Sequence, residues 1–531
     1  MKNKLTKSQR NFYVRFDINL TITESSHMDS VVKEIYPKLK MINTNSRIGK
    51  ELLKLVLLNL YQNYSTNKKL LTGFHKNVNK YKPKSRYNKN QISKKIIDIV
   101  GNDKEKTKDG LVKAGYIDYW NGYNSKNAWD ESYTSRIRAK LKLINIIRRH
   151  KVEANQIEKH PTTECIVIQV SDGSSKIKLE YNDTPNIIKM RQELTKYNNL
   201  LWRTHIDIGW IPEEGVIFGS SEYPVAITQK NKFMRRIFND PKFETGGRYY
   251  GGWIQGLNSE WRNKITINLM PTVEVDFSAN GINLLYAKER LTAPEGDQYD
   301  LSIGNFNRHL NPYPPATIYN GYSMKDLRPL LKLMMLIMIN AKNYNEAYYA
   351  IKGDVNDSNK KLPQGVALKP LMAMFEQKHS AIKKYFYSGF GASLYKFDST
   401  VAEGVINYFT NKDVPVLCIH DSFIIELEYL KELKAVMQDS FKKTMLAETA
   451  PNVNHIDFLD IYEPLNPEHK KSGLWSLIPH KIKENTLVRI FTPTSETIIK
   501  KEVDRTEANE RYITFMDHQM RLERDYYYNN K

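Results

Sequence analysis

The chain has 531 residues, 40% hydrophobic and 26% charged, a balance that fits a folded globular protein and excludes a disordered one. Lys and Arg number 80 against 59 Asp and Glu, a formal net charge of +21, so a polyanion such as nucleic acid is the expected partner class. Two cysteines, Cys165 and Cys418, exclude a disulfide scaffold and a cysteine-built zinc site, and a reduced, cytoplasmic setting is expected. The basic start has no apolar run behind it, Leu52–Leu60 is too short to span a bilayer, and no membrane role is expected.

Residues 1–80 read as helical, with Glu51–Tyr61 apolar nearly all round, as in a core helix. In residues 81–155, Asn90–Val100 and Asp103–Ala114 read as short helices separated by Gly101, and a Gly/Asn-tipped hairpin follows. Two helices and a hairpin predict a winged helix-turn-helix, with Lys94, Lys95, Arg136 and Arg138 on its phosphate-binding face. The bland reading of the same pattern is a small α+β domain with a solvated basic face. Residues 156–232 read as a connecting α+β subdomain: strand Cys165–Val170, a turn at Asp172–Ser175, and a helix through Asn186–Leu201.

A core region spans residues 233–480, and a C-terminal tail spans 481–531. Two glycine pairs, Gly246–Gly247 and Gly251–Gly252, bracket Arg248, Tyr249 and Tyr250. Glycine admits close approach of a ligand to the backbone, and Arg248 with the aromatics beside it, Tyr249 and Tyr250, suits a nucleic-acid backbone and its stacked bases. Strand Thr272–Phe277 carries Asp276 near its end, and Ser278–Arg290 reads as a helix. Lys325–Ala341 is a strongly apolar helix whose Arg328 and Lys332, spaced i, i+4, share one face. Val414–Glu426 reads as strand, tight turn, strand, which lifts Asp421 to the tip beside His420. Two strand-borne carboxylates with paired cations suit phosphoryl transfer by two Mg²⁺ ions, about 3.5–4 Å apart, with Mn²⁺ as the alternative. Glu274 and Glu426 are near enough in sequence to leave a metal-dependent nuclease open.

These residues, in this order, resemble the polymerase core shared by single-subunit RNA polymerases of the phage and mitochondrial type and family A DNA polymerases. Glu244-Thr-Gly-Gly247-Arg248 is similar to their T/DxxGR turn, with Glu for the usual Thr or Asp. Asp276-Phe-Ser resembles motif A, Arg328 with Lys332 motif B, and His420-Asp421-Ser422 motif C. The likeness covers roughly residues 233–445. The resemblance implies an α+β fold with a right-hand palm and fingers. It also implies metal ligation by Asp276, Asp421 and the backbone carbonyl of Phe277, with Arg328 and Lys332 on the triphosphate. By the same likeness Arg248 contacts the template or growing duplex, and His420 the primer end. Asn340 and Ala341 stand where motif B has a Tyr-Gly pair, which bears on fidelity and sugar choice. Gly281 replaces a Glu that blocks the ribose 2′-OH in DNA polymerases. With Ser422, it leans the expectation towards RNA synthesis.

The expected protein is therefore a monomeric, DNA-directed nucleotidyltransferase acting in transcription or DNA replication. Its partners would be a template, a primer or nascent strand, and nucleoside triphosphates. The alternatives are a DNA polymerase without proofreading, or a non-catalytic DNA-binding protein on a polymerase-like scaffold.

Overall fold

The computed structural model describes residues 5–39, 46–75, 86–87, 95–101, 110–123, 133–172, 175–208, 216–218, 224–301, 324–357, 368–446, 453–456, 512–517 and 519–520. The fold is mixed α+β and is built on two hydrophobic cores.

The first core runs from Leu20 to Ile157. At its centre is the helix Arg47–Thr66, buried on most of its circumference, as its all-round apolar pattern requires. Over it lies a four-stranded sheet in the order Tyr13–Arg15, Leu71–Phe74, Ser135–Ala139, Ile117–Trp120. Where a hairpin is expected, Ile117–Trp120 and Ser135–Ala139 form an antiparallel pair, and Leu71–Phe74 pairs with Ser135–Ala139 on the other side. Residues from both of the first two sequence segments thus share one sheet and one core. Of the two expected helices, the first is seen as Lys95–Val100, and the described part of the second, residues 110–114, is not helical but ends in a run of turns.

The second core runs from Cys165 to Met445. Its elements, in chain order, begin with strands β1 (Ile166–Asp172) and β2 (Ser175–Leu179), helix α1 (Pro185–Arg203) and strand β3 (Ile206–Ile208). Strands β4 (Met234–Phe238), β5 (Gly246–Gly251), β6 (Ile265–Ile267) and β7 (Met270–Phe277) come next. Helices α2 (Asn280–Lys288), α3 (Met324–Asn340) and α4 (Gly391–Asn411) follow. Helices Tyr344–Asp357 and Leu368–Lys378 also pack into this core, and strands β8 (Leu417–Ile419) and β9 (Ser422–Glu426), helix α5 (Leu430–Met445) and strand β10 (Val453–Ile456) come last.

One sheet has the order β5-β4-β1-β2; the other has the order β8-β9-β7-β6-β3, with β10 also paired to β7. Between them α4 is the central helix, in contact with β5, α5, α2, α1 and α3. Its buried residues Leu394, Asp398, Val401, Ala402, Val405, Ile406 and Phe409 recur at three- and four-residue steps, the helical period of a core-facing stripe. Six residues of the C-terminal segment, 512–517, form a helical turn that packs Tyr512 and Phe515 on the buried His205 ring. Both cysteines are free and buried, and among the described residues no helix is long and apolar enough to cross a membrane.

Candidate active site

Strand β7 is central in its sheet, with β9 on one side and β10 on the other. Alternation along it sends Glu274 and Asp276 to one face, while Val273, Val275 and Phe277 join the core. Asp276 lies opposite Ser422 in the β7–β9 register, so Asp421, one residue earlier, sits beside it at the hairpin tip. That tip is a two-residue turn between β8 and β9, and His420 takes a left-handed φ of 60° there, as such turns require of a central residue. Ala279, just before α2, is left-handed as well (φ 46°), so backbone strain gathers on both sides of the carboxylates.

Burial pushes the Asp276 carboxyl up to about 8, and the Asp421 charge adds to the rise, while Lys332 pulls the other way. Its Oδ1 is buried with no hydrogen-bond partner. Glu274 is different. It accepts Arg262 Nε and Nη2, both at 2.9 Å, and the Ser422 hydroxyl at 2.6 Å, which leaves it committed to the fold.

The glycine-rich turn is built by Asp240, whose carboxylate accepts the backbone N–H of Lys242 at 2.8 Å and of Thr245 at 2.6 Å. Gly247 needs its lack of a side chain: at φ 83° a Cβ would fall 2.8 Å from the Phe238 ring and 2.9 Å from Ser399 Oγ. Strand β5 then alternates. Arg248 and Tyr250 face the carboxylates, and Tyr249 turns into the core against Arg236. Tyr249 is 3% exposed and offers no ring face to a base, contrary to expectation, whereas Tyr250 is 38% exposed and meets the His420 ring edge-on at 5.3 Å. Arg248 donates from Nε to Asp398 Oδ2 at 2.6 Å and lies over the Tyr395 ring at 3.9 Å. Asn280 Nδ2 donates to the other Asp398 oxygen at 2.8 Å. Burial raises the Asp398 carboxyl to about 6 against the pull of Arg248, and Asp421 adds to the rise. Burial, and then Arg248, lower His420.

Helix α3 contributes Arg328 and Lys332. Arg328 Nε donates to Asp297 Oδ2 at 2.6 Å and lies 5.2 Å from the centre of the buried Tyr299 ring. Tyr299 feels both Asp421 and Asp276, which puts it between the helix and the carboxylates. Lys332 is exposed, makes no ion pair among the described residues, and is close enough to lower Asp276. Asn340 bonds back to the Leu336 carbonyl at 2.8 Å and reaches the Tyr395 hydroxyl at 3.5 Å, so it touches the ring that carries Arg248. A Cβ on Gly281 would meet Leu394 at 3.4 Å and Met335 at 3.5 Å, so this position faces an apolar wall of α3 and α4.

The N-terminal cations fare differently. Arg136 is 2% exposed, stacked 3.5 Å from the Tyr13 ring centre and bonded to the Arg10 and Thr134 carbonyls, which removes it from any phosphate-binding face. Arg138 is half-buried, pairs with Asp118 at 3.0 Å and lines a groove of about 870 Å³. Lys94 and the Lys95 side chain lie outside the described residues.

The sequence reading missed Asp398, Asp297 and Tyr299, and it singled out Tyr249 and Tyr250 together without telling which is buried. Asp398 had a signal: it is a carboxylate on the buried stripe of an amphipathic helix, a placement that demands a partner. Among the described residues no three His, Cys, Asp or Glu side chains are grouped to hold a metal. The Asp276–Asp421 pair nonetheless fits Mg²⁺, which takes one or two carboxylates and completes its shell with water and phosphate oxygens. The orphaned Asp276 Oδ1 is the acceptor such an ion would use.

No protein-family model and no curated protein matches the chain. Among solved structures the chain is similar to the POL domain of Pol1 from M. smegmatis in complex with DNA primer-template and dNTP. The identity is 9% and the TM-score 0.28, over 82% of this chain and 66% of that one, just under two thirds of its length. A likeness of that size carries no argument, and the functional reading rests on the site.

Proposed function

We propose that the chain is a template-directed nucleic-acid polymerase. It would join a 3′-hydroxyl to the α-phosphate of a nucleoside triphosphate and release pyrophosphate. The observation that carries the reading is the carboxylate pair. Asp276 and Asp421 come from paired strands, one has an unpartnered buried oxygen, and a free lysine on a neighbouring helix acts on it. Two like charges held this close in a half-buried site raise each other's free energy, an arrangement that a bound cation relieves.

Asp276, Asp421 and the Phe277 carbonyl are the groups to hold Mg²⁺ or Mn²⁺, whose chemistry is to activate the attacking hydroxyl and to stabilise the leaving pyrophosphate. Lys332 neutralises the triphosphate as a point charge. Arg328 exchanges Asp297 for a phosphate oxygen in the fork geometry that a guanidinium offers. Arg248, held from behind by Asp398 and Tyr395, faces the nascent duplex, and His420 with Tyr250 forms the platform for the primer end. The preference for ribonucleotides comes from the sequence, from Gly281 and Ser422. The nuclease alternative is disfavoured, because Arg262 and Ser422 saturate Glu274, and Glu426 stands opposite Thr272, four residues along β7 from Asp276.

The test is extension of a labelled primer on a single-stranded template with Mg²⁺, offering NTPs and dNTPs separately. Extension that vanishes in Asp421→Asn supports the polymerase, and the substrate used decides between RNA and DNA. No extension with either set, from a protein that still binds the primer-template, refutes it.

A further inference from the structure

Strands β4 and β5 have a second face that the proposed reaction does not use in full. Arg236, Phe238 and Tyr249 turn to one side, where Arg236 meets Glu403 of α4, so Arg235, Ile237 and Tyr250 share the other side by alternation, while Arg248 reaches back to Asp398. The N-terminal body lies across that side, with its strand Tyr13–Arg15 against the strand Pro224–Ala226. Between the two bodies is an open cleft of about 700 Å³, lined by Arg15, Gln62, Lys159, Lys230, Phe233 and Arg235 among others.

The cleft is positive beyond what its own acids neutralise. Lys159 forms an ion pair with Asp17, and Lys230 feels Glu158. Arg15 and Arg235 have no ion pair and no side-chain hydrogen bond among the described residues, and Arg235 rests 5.0 Å from the centre of the Phe233 ring. Lys178 of β2 is exposed and, by the strand register, shares the Arg235 face of the sheet, where desolvation and the charges of Arg235 and Lys159 lower it. Cations gathered in a cleft with too few counter-charges are an unfavourable arrangement that a bound polyanion reverses. The cleft also leads somewhere. Arg235 pairs across the strands with Tyr250, and Tyr250 touches His420 beside Asp421.

We infer that this cleft binds the sugar-phosphate backbone of a single-stranded nucleic acid, delivering it past Arg235 and Tyr250 to the carboxylate pair. Arg15, Arg235 and Lys178 contact phosphates, and Phe233 offers a ring for stacking. The destination of the strand rests on the polymerase reading; its binding does not, and is measured without catalysis.

The experiment is fluorescence anisotropy of a labelled oligothymidylate without divalent metal, over a series of salt concentrations. The proteins are the wild type, Arg15→Ala/Arg235→Ala and Arg235→Lys. Each phosphate contact contributes about 0.7 to the slope of log affinity against log salt for a single strand. The double variant should lose about 1.4 of that slope, and Arg235→Lys should keep most of it. If Arg235→Ala fails to fold, Arg15→Ala/Lys178→Ala, both at exposed positions, carries the same prediction. Folded variants with the wild-type slope overturn the inference whether or not the protein extends primers. Lost slope in a protein that extends nothing retains the cleft and removes the polymerase.

Discussion

Replacing Asp276 with Asn should change how the metal-free protein responds to pH. The folded chain holds this carboxyl up to about 8, against an ordinary 3.8, because it is buried and faces Asp421. Between those values the folded state keeps a proton that the unfolded state has released. Its contribution to stability is therefore complete below the ordinary carboxylate value and is lost as pH rises through about 8. One proton of difference corresponds to about 1.4 kcal/mol per pH unit, so between about pH 5 and pH 7 the wild type should lose roughly 2–3 kcal/mol relative to Asp276→Asn. Burial also raises Glu426, to about 7, and this contributes the same trend to both proteins, so the difference between them isolates the carboxylate pair. The assay is urea denaturation across that pH range, followed by tryptophan fluorescence, with Trp253 buried in the second core. Added Mg²⁺ should flatten the wild-type dependence and leave that of the variant nearly unchanged. Parallel pH curves for the two proteins would refute the reasoning, because they would mean that Asp276 is ionised in the folded chain without difficulty.

Three further outcomes follow from the same geometry. Arg262→Met strips the bidentate partner from Glu274, whose side chain is 3% exposed, and should destabilise by about 3–5 kcal/mol in urea. Adding Glu274→Gln should recover part of that loss. Tyr249→Ala should reduce stability by about 3–4 kcal/mol as a cavity in the core, whereas Tyr250→Ala should change it by less than about 1 kcal/mol. The second variant should instead weaken extension at low primer concentration, and the reverse pattern would place the wrong face of β5 at the site. Asp398→Asn keeps the shape but removes the charge behind Arg248. It should raise the KM for primer-template about tenfold, equivalent to about 1.4 kcal/mol, with little change in kcat. An unchanged KM would mean that Arg248 needs no positioning.

Local pattern made several elements legible in the sequence. The His420-Asp421 turn, the strand that ends near Asp276, the helix carrying Arg328 and Lys332, and the core helix Arg47–Thr66 all follow from periodicity and turn chemistry. Those signals act within a few residues, and the structure reproduces them with small shifts in their ends. The sequence also put Arg248 in a glycine-rich turn, but it could not say which neighbour shares its face. A one-residue choice in a strand exchanges core for solvent, and pairing with β4 settled it for Tyr250.

Long-range pairing decided the rest. Asp398 lies 150 residues from Arg248, and Glu274 lies 148 residues from Ser422 and closer to Arg262. Local pattern cannot show that Glu274 is bound and Asp276 is left with an empty oxygen, although both stand on the same strand face. Arg136 makes the same point in the N-terminal body. It looked like one of a row of surface cations, and a sheet closed over it and set it on the Tyr13 ring. Residue type and spacing determined which chemistry this chain can offer. Which carboxylates and cations remain free to offer it depends on partners distant in sequence, and only the tertiary structure brings those together.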